Sequence, residues 1–420
     1  MPKILKTSLL TLSVILSIMA AFKLYTVEEG LETYYESFKN SPVTITKSLT
    51  HDKGLVFIAH GFAGSTALMK PIATALAKSG YTTIRYDFRG HGHHPFPYSG
   101  DVTTITGATK LFLDDTDDLV KHYLNRSSHS KALIIGHSMA SDIIFRAAKI
   151  NNSISGAIGV SSYTDVIKSN SPENVLIING EWENRLRKKG LKTLKEIGIR
   201  NPLENTTYGD FEIGNARRVG TINFSGHFGI LYSPKTQAQI ISWVDNVYGT
   251  KTNLIQNYIG AWVTVLFASL FICFYIFVQT IKKNECNKLP ITYRKLLLGN
   301  LSATIITPVA LQFYSIEFVS FPAHNYLINH LFLYSLTIMI FLPIRQIQIV
   351  WRPHYIGILF GLFAFFSLFL GSIIDSYIST FSLTNARLKL FLLLFIGCLP
   401  IMLALQIIYK SKKGSFLKGN

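Results

Sequence analysis

The fold is decided by the segment Leu133-Ile134-Ile135-Gly136-His137-Ser138-Met139-Ala140, in which an apolar run is followed by a serine with a small residue two places to either side. Bulky neighbours would clash where a strand turns sharply into a helix, so this spacing is typical of a bend that exposes one hydroxyl. The spacing alone is common by chance, and the surrounding sequence has to support it. Ser138 is therefore the candidate nucleophile.

Strand patterns and helix patterns alternate on both sides of this bend. Buried strands are predicted at residues 55–59, 82–86, 175–178 and 221–224, and helices at 65–79, 106–125, 139–150 and 233–247. The alternation predicts an α/β fold with a mostly parallel sheet flanked by helices. Such sheets carry their chemistry at the carboxyl ends of the strands. Ser138, Glu183 and His227 each follow a predicted strand end.

Short motifs after the first two predicted strands add to this pattern. His60-Gly61-Phe62 follows the first strand, and Asp87-Phe88-Arg89-Gly90-His91-Gly92 follows the second. Together with Gly-His-Ser-Met at 136–139 and the chain order serine, acid, histidine, they make residues 42–249 resemble the α/β-hydrolase superfamily. The resemblance is to its lysophospholipase and monoacylglycerol-lipase-like members.

The resemblance implies a role for each of three residues: Ser138 as nucleophile, His227 as general base and Glu183 as the acid that orients the histidine. The sequence departs from the family pattern at two positions. Ala140 stands where a glycine is usual, and Glu183 stands where an aspartate is usual. Two other carboxylates remain alternatives for the acid, namely Glu181 and Asp210.

Acyl transfer to a serine creates a negatively charged oxygen that backbone N–H groups can bind. The candidate donors are the amides of Phe62, after the His60-Gly61 turn, and of Met139, directly after the serine. Asp87, Arg89 and His91 are expected to brace the site. No cysteine or carboxylate spacing accompanies the histidines of this region, so we expect neither a metal nor a cofactor at His91, His93 and His94.

The second half of the chain contains long apolar stretches at residues 259–280, 296–318, 326–344, 356–374 and 390–408. Each is long enough to cross a hydrocarbon core of about 30 Å, so five membrane-spanning helices are predicted. The apolar stretch at 7–22 is a sixth candidate. Ile18 and Met19 occupy places where cleavage by a signal peptidase needs small residues, which favours a retained anchor over a cleaved signal.

These segments predict three domains: an anchor at 1–24, a hydrolase domain at 25–250 and a five-span membrane domain at 251–420. Residues 251–420 carry 14 Lys and Arg against three Asp and Glu, which accounts for most of the net charge of +17. The positive-inside rule then places both termini in the cytoplasm and the hydrolase domain outside. We expect a bacterial inner membrane as the location.

The excess of positive charge is explained by topology and by anionic lipids, so it does not indicate a nucleic-acid partner. The three cysteines, Cys273, Cys286 and Cys398, lie in or beside the predicted spans, and the hydrolase domain has none. The oligomeric state is left open by the sequence.

Access to the site is governed by the loops after the strands. Only about 14 residues separate Ser161 from Val175, which leaves no room for a large cap domain there. The longer insertion, 184–217, is basic, and it is either a solvated helix or a segment that docks on lipid headgroups. Its charges are Arg185, Arg187, Lys188, Lys189, Lys192 and Lys195.

The sequence thus predicts a membrane-anchored serine hydrolase that cleaves a lipid or another acyl ester through an acyl-serine intermediate. One alternative is an acyltransferase on the same fold, in which an alcohol replaces water. The other is an inactive hydrolase-like binding module that regulates the membrane domain. Acyl-chain preference depends on pocket shape rather than on motifs.

Overall fold

The computed structural model describes residues 2–98, 101, 104–252, 255–279, 293–318, 322–342, 360–381 and 385–412. The chain divides into two compact units. The first comprises Met1–Gln279 and Phe366–Ser382, and the second comprises Thr280–Phe365 and Leu383–Asn420.

A nine-stranded sheet, counted over the described residues, forms the centre of the first unit. Its strands are β1 (Leu31–Phe38), β2 (Ser41–Ser48), β3 (Leu55–Ala59), β4 (Thr82–Tyr86), β5 (Ala132–His137), β6 (Ile154–Val160), β7 (Val175–Gly180), β8 (Thr207–Tyr208) and β9 (Arg217–Ile222). They lie in the order β1-β2-β4-β3-β5-β6-β7-β9-β8. The six strands from β4 to β9 in that order are parallel, while β1, β2 and β8 pair antiparallel with their neighbours. The α/β-hydrolase fold with a mostly parallel sheet is confirmed.

Helices cover both faces of this sheet. The helices of the first unit up to residue 278 are α1 (Lys3–Tyr25), α2 (Lys70–Lys78), α3 (Lys110–Asn125), α4 (Met139–Ile150), α5 (Asn184–Glu196), α6 (Gly229–Tyr232), α7 (Pro234–Tyr248) and α8 (Ile259–Val278). Phe112, Ile144 and Leu194 from α3, α4 and α5 belong to the core on one face. Ile72 and Ile240 from α2 and α7 belong to the core on the other. Each face of the sheet is thus buried, as its apolar strands require.

Two predicted helices begin later than their sequences suggest. The helix predicted from residue 65 starts at Lys70, because the Thr66 amide donates to Asp87 Oδ1 (2.7 Å) and residues 66–69 form turns. The helix predicted from residue 106 is regular only from Lys110, since Gly107 has non-helical φ and ψ of −87° and −123°. Met139–Ile150 has the predicted bounds.

The strand predicted at 221–224 lies earlier, at Arg217–Ile222. The sequence did not indicate a buried strand at residue 217 because Arg217 is charged. In the structure, its side chain is nevertheless only 2% exposed. Its guanidinium donates to the carbonyl oxygens of Ala216, Lys168 and Pro172. A buried arginine is tolerated there because its Nη1 and Nη2 groups donate to these acceptors.

Within the described residues, four helices are long and apolar enough to cross a membrane, namely Lys3–Glu28, Ile259–Val278, Arg294–Phe313 and Phe360–Tyr377. They correspond to the predicted anchor and to the predicted spans at 259–280, 296–318 and 356–374. The predicted spans at 326–344 and 390–408 coincide with α10 (Pro322–Ile340) and with the helix Asn385–Lys412, which are not among the four. Residues 280, 343–344 and 356–359 of these predictions lie outside the described residues.

The predicted span 296–318 ends early, because its helix α9 (Tyr293–Phe313) stops five residues before Phe318. Beyond the helix, Asn329 and Asn325 accept hydrogen bonds from the amides of Ile316 (3.3 Å) and Phe318 (2.9 Å). These side chains satisfy backbone groups that a helix would otherwise pair internally.

Each unit has its own apolar helix contacts. In the second unit, Ala303 of α9 packs with Ile338 of α10 and with Leu342, two residues after α10 ends. In the first unit, Ala20 and Leu24 of α1 pack against Val263 and Leu266 of α8. The membrane-span candidates α1 and α8 therefore lie side by side.

Candidate active site

Ser138 occupies a strained bend between β5 and α4, with φ of 52° and ψ of −117°. The bend is tight because α4 turns back over the end of the strand. A Cβ on Gly136 would lie 2.7 Å from both the carbonyl oxygen of Ala140 and Cγ1 of Ile144. The Ser138 amide donates to the Val160 carbonyl on β6 at 2.9 Å, which fixes the bend to the sheet. Steric crowding at this bend thus accounts for the small residues on either side of the serine.

The structure brings together all three side chains that the resemblance singled out. His227 Nε2 lies 2.9 Å from Ser138 Oγ, and His227 Nδ1 lies 2.7 Å from Glu183 Oε1. Ser138 follows β5, Glu183 follows β7, and His227 follows β9, so the shared carboxyl edge of the parallel strands produces the cluster. With Nδ1–H donating to Glu183, Nε2 is free to accept the proton of the Ser138 hydroxyl.

Glu183 is held as an anion by several donors. Its Oε2 accepts hydrogen bonds from the Gly180 amide (2.7 Å) and the Ser161 hydroxyl (2.8 Å), and its side chain is only 8% exposed. Burial opposes ionisation, but the hydrogen bonds from His227, Gly180 and Ser161 outweigh it and hold the pKa of Glu183 below its ordinary value. The negative charge is therefore present beside His227 at neutral pH.

The two alternative acids bind elsewhere. The Glu181 carboxylate accepts from the Phe224 amide at 2.7 Å. The Asp210 carboxylate accepts from the Glu212 amide at 2.7 Å, within its own loop. The contact of Glu183 with His227 Nδ1 therefore favours Glu183, although glutamate is the less usual residue at this position.

His137 connects the serine bend to the histidine loop. Its Nε2–H donates to the backbone carbonyl of His227 at 2.9 Å, and the two rings lie 4.9 Å apart. Burial, together with the nearby His227, lowers the pKa of His137 to about 4. A neutral His137 with its proton on Nε2 thus fixes the backbone position of His227.

The predicted amide donors, Phe62 and Met139, lie on either side of the serine. Gly61 approaches Ser138 so closely that a Cβ on it would lie 3.0 Å from Ser138 Cβ. Within the part of the chain that the structure describes, neither the Phe62 nor the Met139 amide donates a hydrogen bond. The Met139 amide is also the first of α4, where the helix dipole favours negative charge.

The loop after β4 supports this arrangement through Asp87. Its carboxylate accepts from the amides of Thr66 (2.7 Å) and His93 (2.8 Å), which joins the loops after β3 and β4. Arg89 makes a two-point contact with Asp115 on α3 at 2.6 and 2.9 Å. These contacts are consistent with the bracing role expected for this motif. The His91 and His94 rings bond backbone groups, the Arg89 carbonyl and the Phe96 amide.

The basic segment at 184–217 contains α5 and β8, and several of its charges have partners in the same domain. Arg187 pairs with Glu204, Lys189 with Asp165, and Lys192 with Glu196. Half of the six charges considered for lipid docking are therefore neutralised by carboxylates of the domain.

Sequence reasoning missed two residues that hold the site together, Ser161 and His137. Ser161 follows β6 and has φ of 50°, and its hydroxyl reaches the loop after β7. The position directly after a strand end was a usable signal for Ser161. The partner of His137 is a backbone carbonyl 90 residues away, and no sequence pattern reports it.

Comparison with known proteins places these observations in a family context. Residues 50–209 match the Hydrolase_4 family, described as "Serine aminopeptidase, S33". A stretch of 70 residues is 37% identical to the thermostable monoacylglycerol lipase of Bacillus sp. (strain H-257). That stretch covers 17% of this chain and 23% of the lipase, so the chain matches about a quarter of that relative's length.

Solved structures that are similar to part of this chain include two hydrolases. The monoglyceride lipase of Saccharomyces cerevisiae has 14% sequence identity and a TM-score of 0.39, over 53% of this chain and 96% of that structure. A predicted CIB-like hydrolase from Thermoplasma acidophilum has 16% identity and a TM-score of 0.38, over 51% of this chain and 98% of that structure.

Proposed function

We propose that this chain is a membrane-anchored serine hydrolase that cleaves a carboxylic ester through an acyl-serine intermediate. The observation that carries the proposal is the pair of contacts at His227, 2.9 Å to Ser138 and 2.7 Å to Glu183. The match to a hydrolase family and the local identity to a lipase support hydrolysis of a lipid or another acyl ester.

The chemistry follows from the positions of the protons. His227 Nε2 takes the hydroxyl proton as Ser138 Oγ bonds to the ester carbonyl carbon, and the Phe62 and Met139 amides bind the resulting oxyanion. The ester C–O bond then breaks, and His227 returns the proton to the leaving alkoxide. Water, deprotonated by His227, attacks the acyl-serine. The bond between Ser138 Oγ and the acyl carbon then breaks, His227 returns the proton to Oγ, and a carboxylic acid is released. Glu183 stabilises the imidazolium in both steps without taking its proton.

The membrane placement rests on the four apolar helices and on the distribution of charge. We infer that the hydrolase domain lies outside a bacterial inner membrane, with both termini in the cytoplasm. The short link from α7 to α8, from Tyr248 to Ile259, keeps the domain near the lipid surface.

Labelling of the full-length protein with a fluorophosphonate tests this function. The wild type should be labelled and should hydrolyse p-nitrophenyl butyrate, and Ser138→Ala should abolish both. Ser153→Ala, at the opposite edge of the sheet, is the matched control and should retain both. If the wild type takes no label while Ser138 is accessible, the domain is not a serine hydrolase.

A further inference from the structure

The membrane-span candidates α1 and α8 contact the hydrolase domain at the edge of the sheet that carries Ser138. Helices α2 and α7 follow the loops after β3 and β9, so both begin at the carboxyl edge of the sheet. Lys70, at the start of α2, pairs with Glu28, directly after α1, at 3.1 Å. Asn257, just before α8, donates to the Pro71 carbonyl at 2.7 Å. The membrane-span candidates α1 and α8 therefore join the domain beside the site.

The histidine loop itself contacts these helices. Helix α6 begins two residues after His227, and its Tyr232 packs so tightly on α8 that a Cβ on Gly260 would lie 2.6 Å from Tyr232 Cβ. The Tyr232 hydroxyl donates to the carbonyl of Tyr377, and the Tyr377 hydroxyl donates to the Leu24 carbonyl at 3.1 Å. The loop after β9 is thus joined to three apolar helices.

The loop after β3, which contains Phe62, and the loop after β4 also contact the end of the helix Gly371–Tyr377 and the residues that follow it. Ser379 Oγ donates to the Ala63 carbonyl at 3.4 Å, directly after Phe62. His93 Nε2 lies 3.6 Å from the Asp375 carboxylate. The loops after β3 and β4, on both sides of the site, therefore lie beside the ends of the apolar helices.

The same edge carries a set of exposed aromatic side chains, here called the aromatic rim. One or two of these aromatic residues follow each of the strands β3, β4, β6, β7 and β9, and their exposed fractions lie between 44% and 80%. They are Phe62, Phe96, Tyr163, Trp182, Phe224 and Phe228. At the opposite edge, Tyr81 and Trp243 are buried. Contiguous exposed apolar side chains on one face mark an interaction surface. Aromatic rings favour the membrane interface, where one part of the ring is in lipid and another is near water.

We propose that the aromatic rim lies in the headgroup region of the bilayer that α1 and α8 enter, and that the substrate is an acyl ester resident in that bilayer. This inference rests on the proposed function and narrows its substrate class. A lipid would reach Ser138 sideways between the rim residues, without passing through bulk water. The bilayer is the favoured occupant because the helices that enter it adjoin the rim on the same edge.

The first test uses the full-length protein in phosphatidylcholine vesicles. It compares the rates of hydrolysis of two esters that release the same chromophore. The esters are p-nitrophenyl palmitate, incorporated in the vesicles, and water-soluble p-nitrophenyl butyrate. In the double variant Trp182→Ser/Phe224→Ser, the palmitate-to-butyrate rate ratio should fall at least 10-fold. The matched control is Leu49→Ser/Ile150→Ser, which removes two exposed apolar side chains at the opposite edge and should keep the ratio within twofold. Equal losses on both esters in the rim variant would overturn the inference.

The second test is independent of catalysis. A nitroxide is attached at Phe224→Cys or at Ile150→Cys in protein whose three native cysteines are replaced by serine. The label at 224 should collide mainly with oxygen, which concentrates in lipid, and the label at 150 mainly with an aqueous nickel chelate. A label at 224 that is open to nickel, or shielded from both reagents by a protein partner, would overturn the inference. A lipid-exposed label on a protein that hydrolyses neither ester would instead refute the proposed function.

Discussion

Glu183→Gln is the change that most directly tests the assignment of the acid. The glutamine keeps the size of the side chain but removes the charge that faces His227 Nδ1 at 2.7 Å. Its amide can also donate to Nδ1, which would place the imidazole proton on Nε2, where the Ser138 proton has to go. We therefore expect a large fall in kcat with little change in folding.

The magnitude follows from the geometry. At 2.7 Å and an effective dielectric constant of about 20, an imidazolium and a carboxylate attract each other by about 6 kcal/mol. Each 1.36 kcal/mol corresponds to a tenfold change in rate, so complete loss of this attraction corresponds to about 10⁴-fold. Because the His227 side chain is 41% exposed, water screens part of the charge, and we expect a fall of about 10³ to 10⁴-fold.

The assay is the steady-state hydrolysis of p-nitrophenyl butyrate at neutral pH, with thermal unfolding measured in the same detergent. Glu181→Gln and Asp210→Asn are the matched controls, and each should retain kcat within about threefold of the wild type. The reasoning would be refuted if Glu183→Gln kept near-normal kcat while one of the two controls lost it.

Three further predictions concern stability and positioning. Gly136→Ala should destabilise the domain by about 1 to 3 kcal/mol, measured by thermal unfolding, because its methyl group meets backbone and side-chain atoms at 2.7 Å. Acidification from pH 6.5 to 4 should lower the unfolding free energy. Burial is the largest cause that lowers the pKa of His60 and of His137 to about 4 in the folded protein. As the pH falls, the unfolded chain therefore binds protons at these histidines before the folded protein does. The loss approaches about 3 kcal/mol for each histidine and is absent above pH 6.5. Ser161→Ala removes a hydrogen bond to the Glu183 carboxylate, so kcat should fall about 10-fold and the acid limb of its pH profile should move to higher pH.

Each of these predictions has a matched control. Gly229→Ala adds a methyl group where nothing lies within 4 Å, and it should leave the unfolding temperature unchanged. His137→Asn should weaken the dependence of stability on pH between 6.5 and 4, and an unaltered slope would contradict the role of its burial. Ser162→Ala removes a neighbouring buried hydroxyl that has no hydrogen-bond partner among the residues the structure describes, so the acid limb of the kcat profile should stay in place.

The parts of the fold that the sequence predicted are those set by local patterns. Apolar runs that end in Gly, Ser or His identified β3, β5 and β7, and their shared edge predicted that Ser138, Glu183 and His227 lie close together. Parallel strands make this inference possible, because every carboxyl end reaches the same edge whatever the strand order.

The parts that the sequence did not predict depend on tertiary contacts. The turns at 66–69 replace a first helical turn because the Thr66 amide binds Asp87, 21 residues away. β9 begins at an arginine whose guanidinium donates to the carbonyl oxygens of Lys168 and Pro172, more than 40 residues away. The hydrogen bond from Ser161 to Glu183 requires the pairing of β6 with β7. Local patterns carry no information on these partners.

The backbone conformation of Ser138 carries a cost in stability. A non-glycine residue at φ of 52° and ψ of −117° stores on the order of 1 to 3 kcal/mol. Glycine adopts such angles freely, so Ser138→Gly should give a chain that melts at a higher temperature and performs no chemistry. Selection of this protein for heat resistance alone would therefore favour loss of the Ser138 hydroxyl.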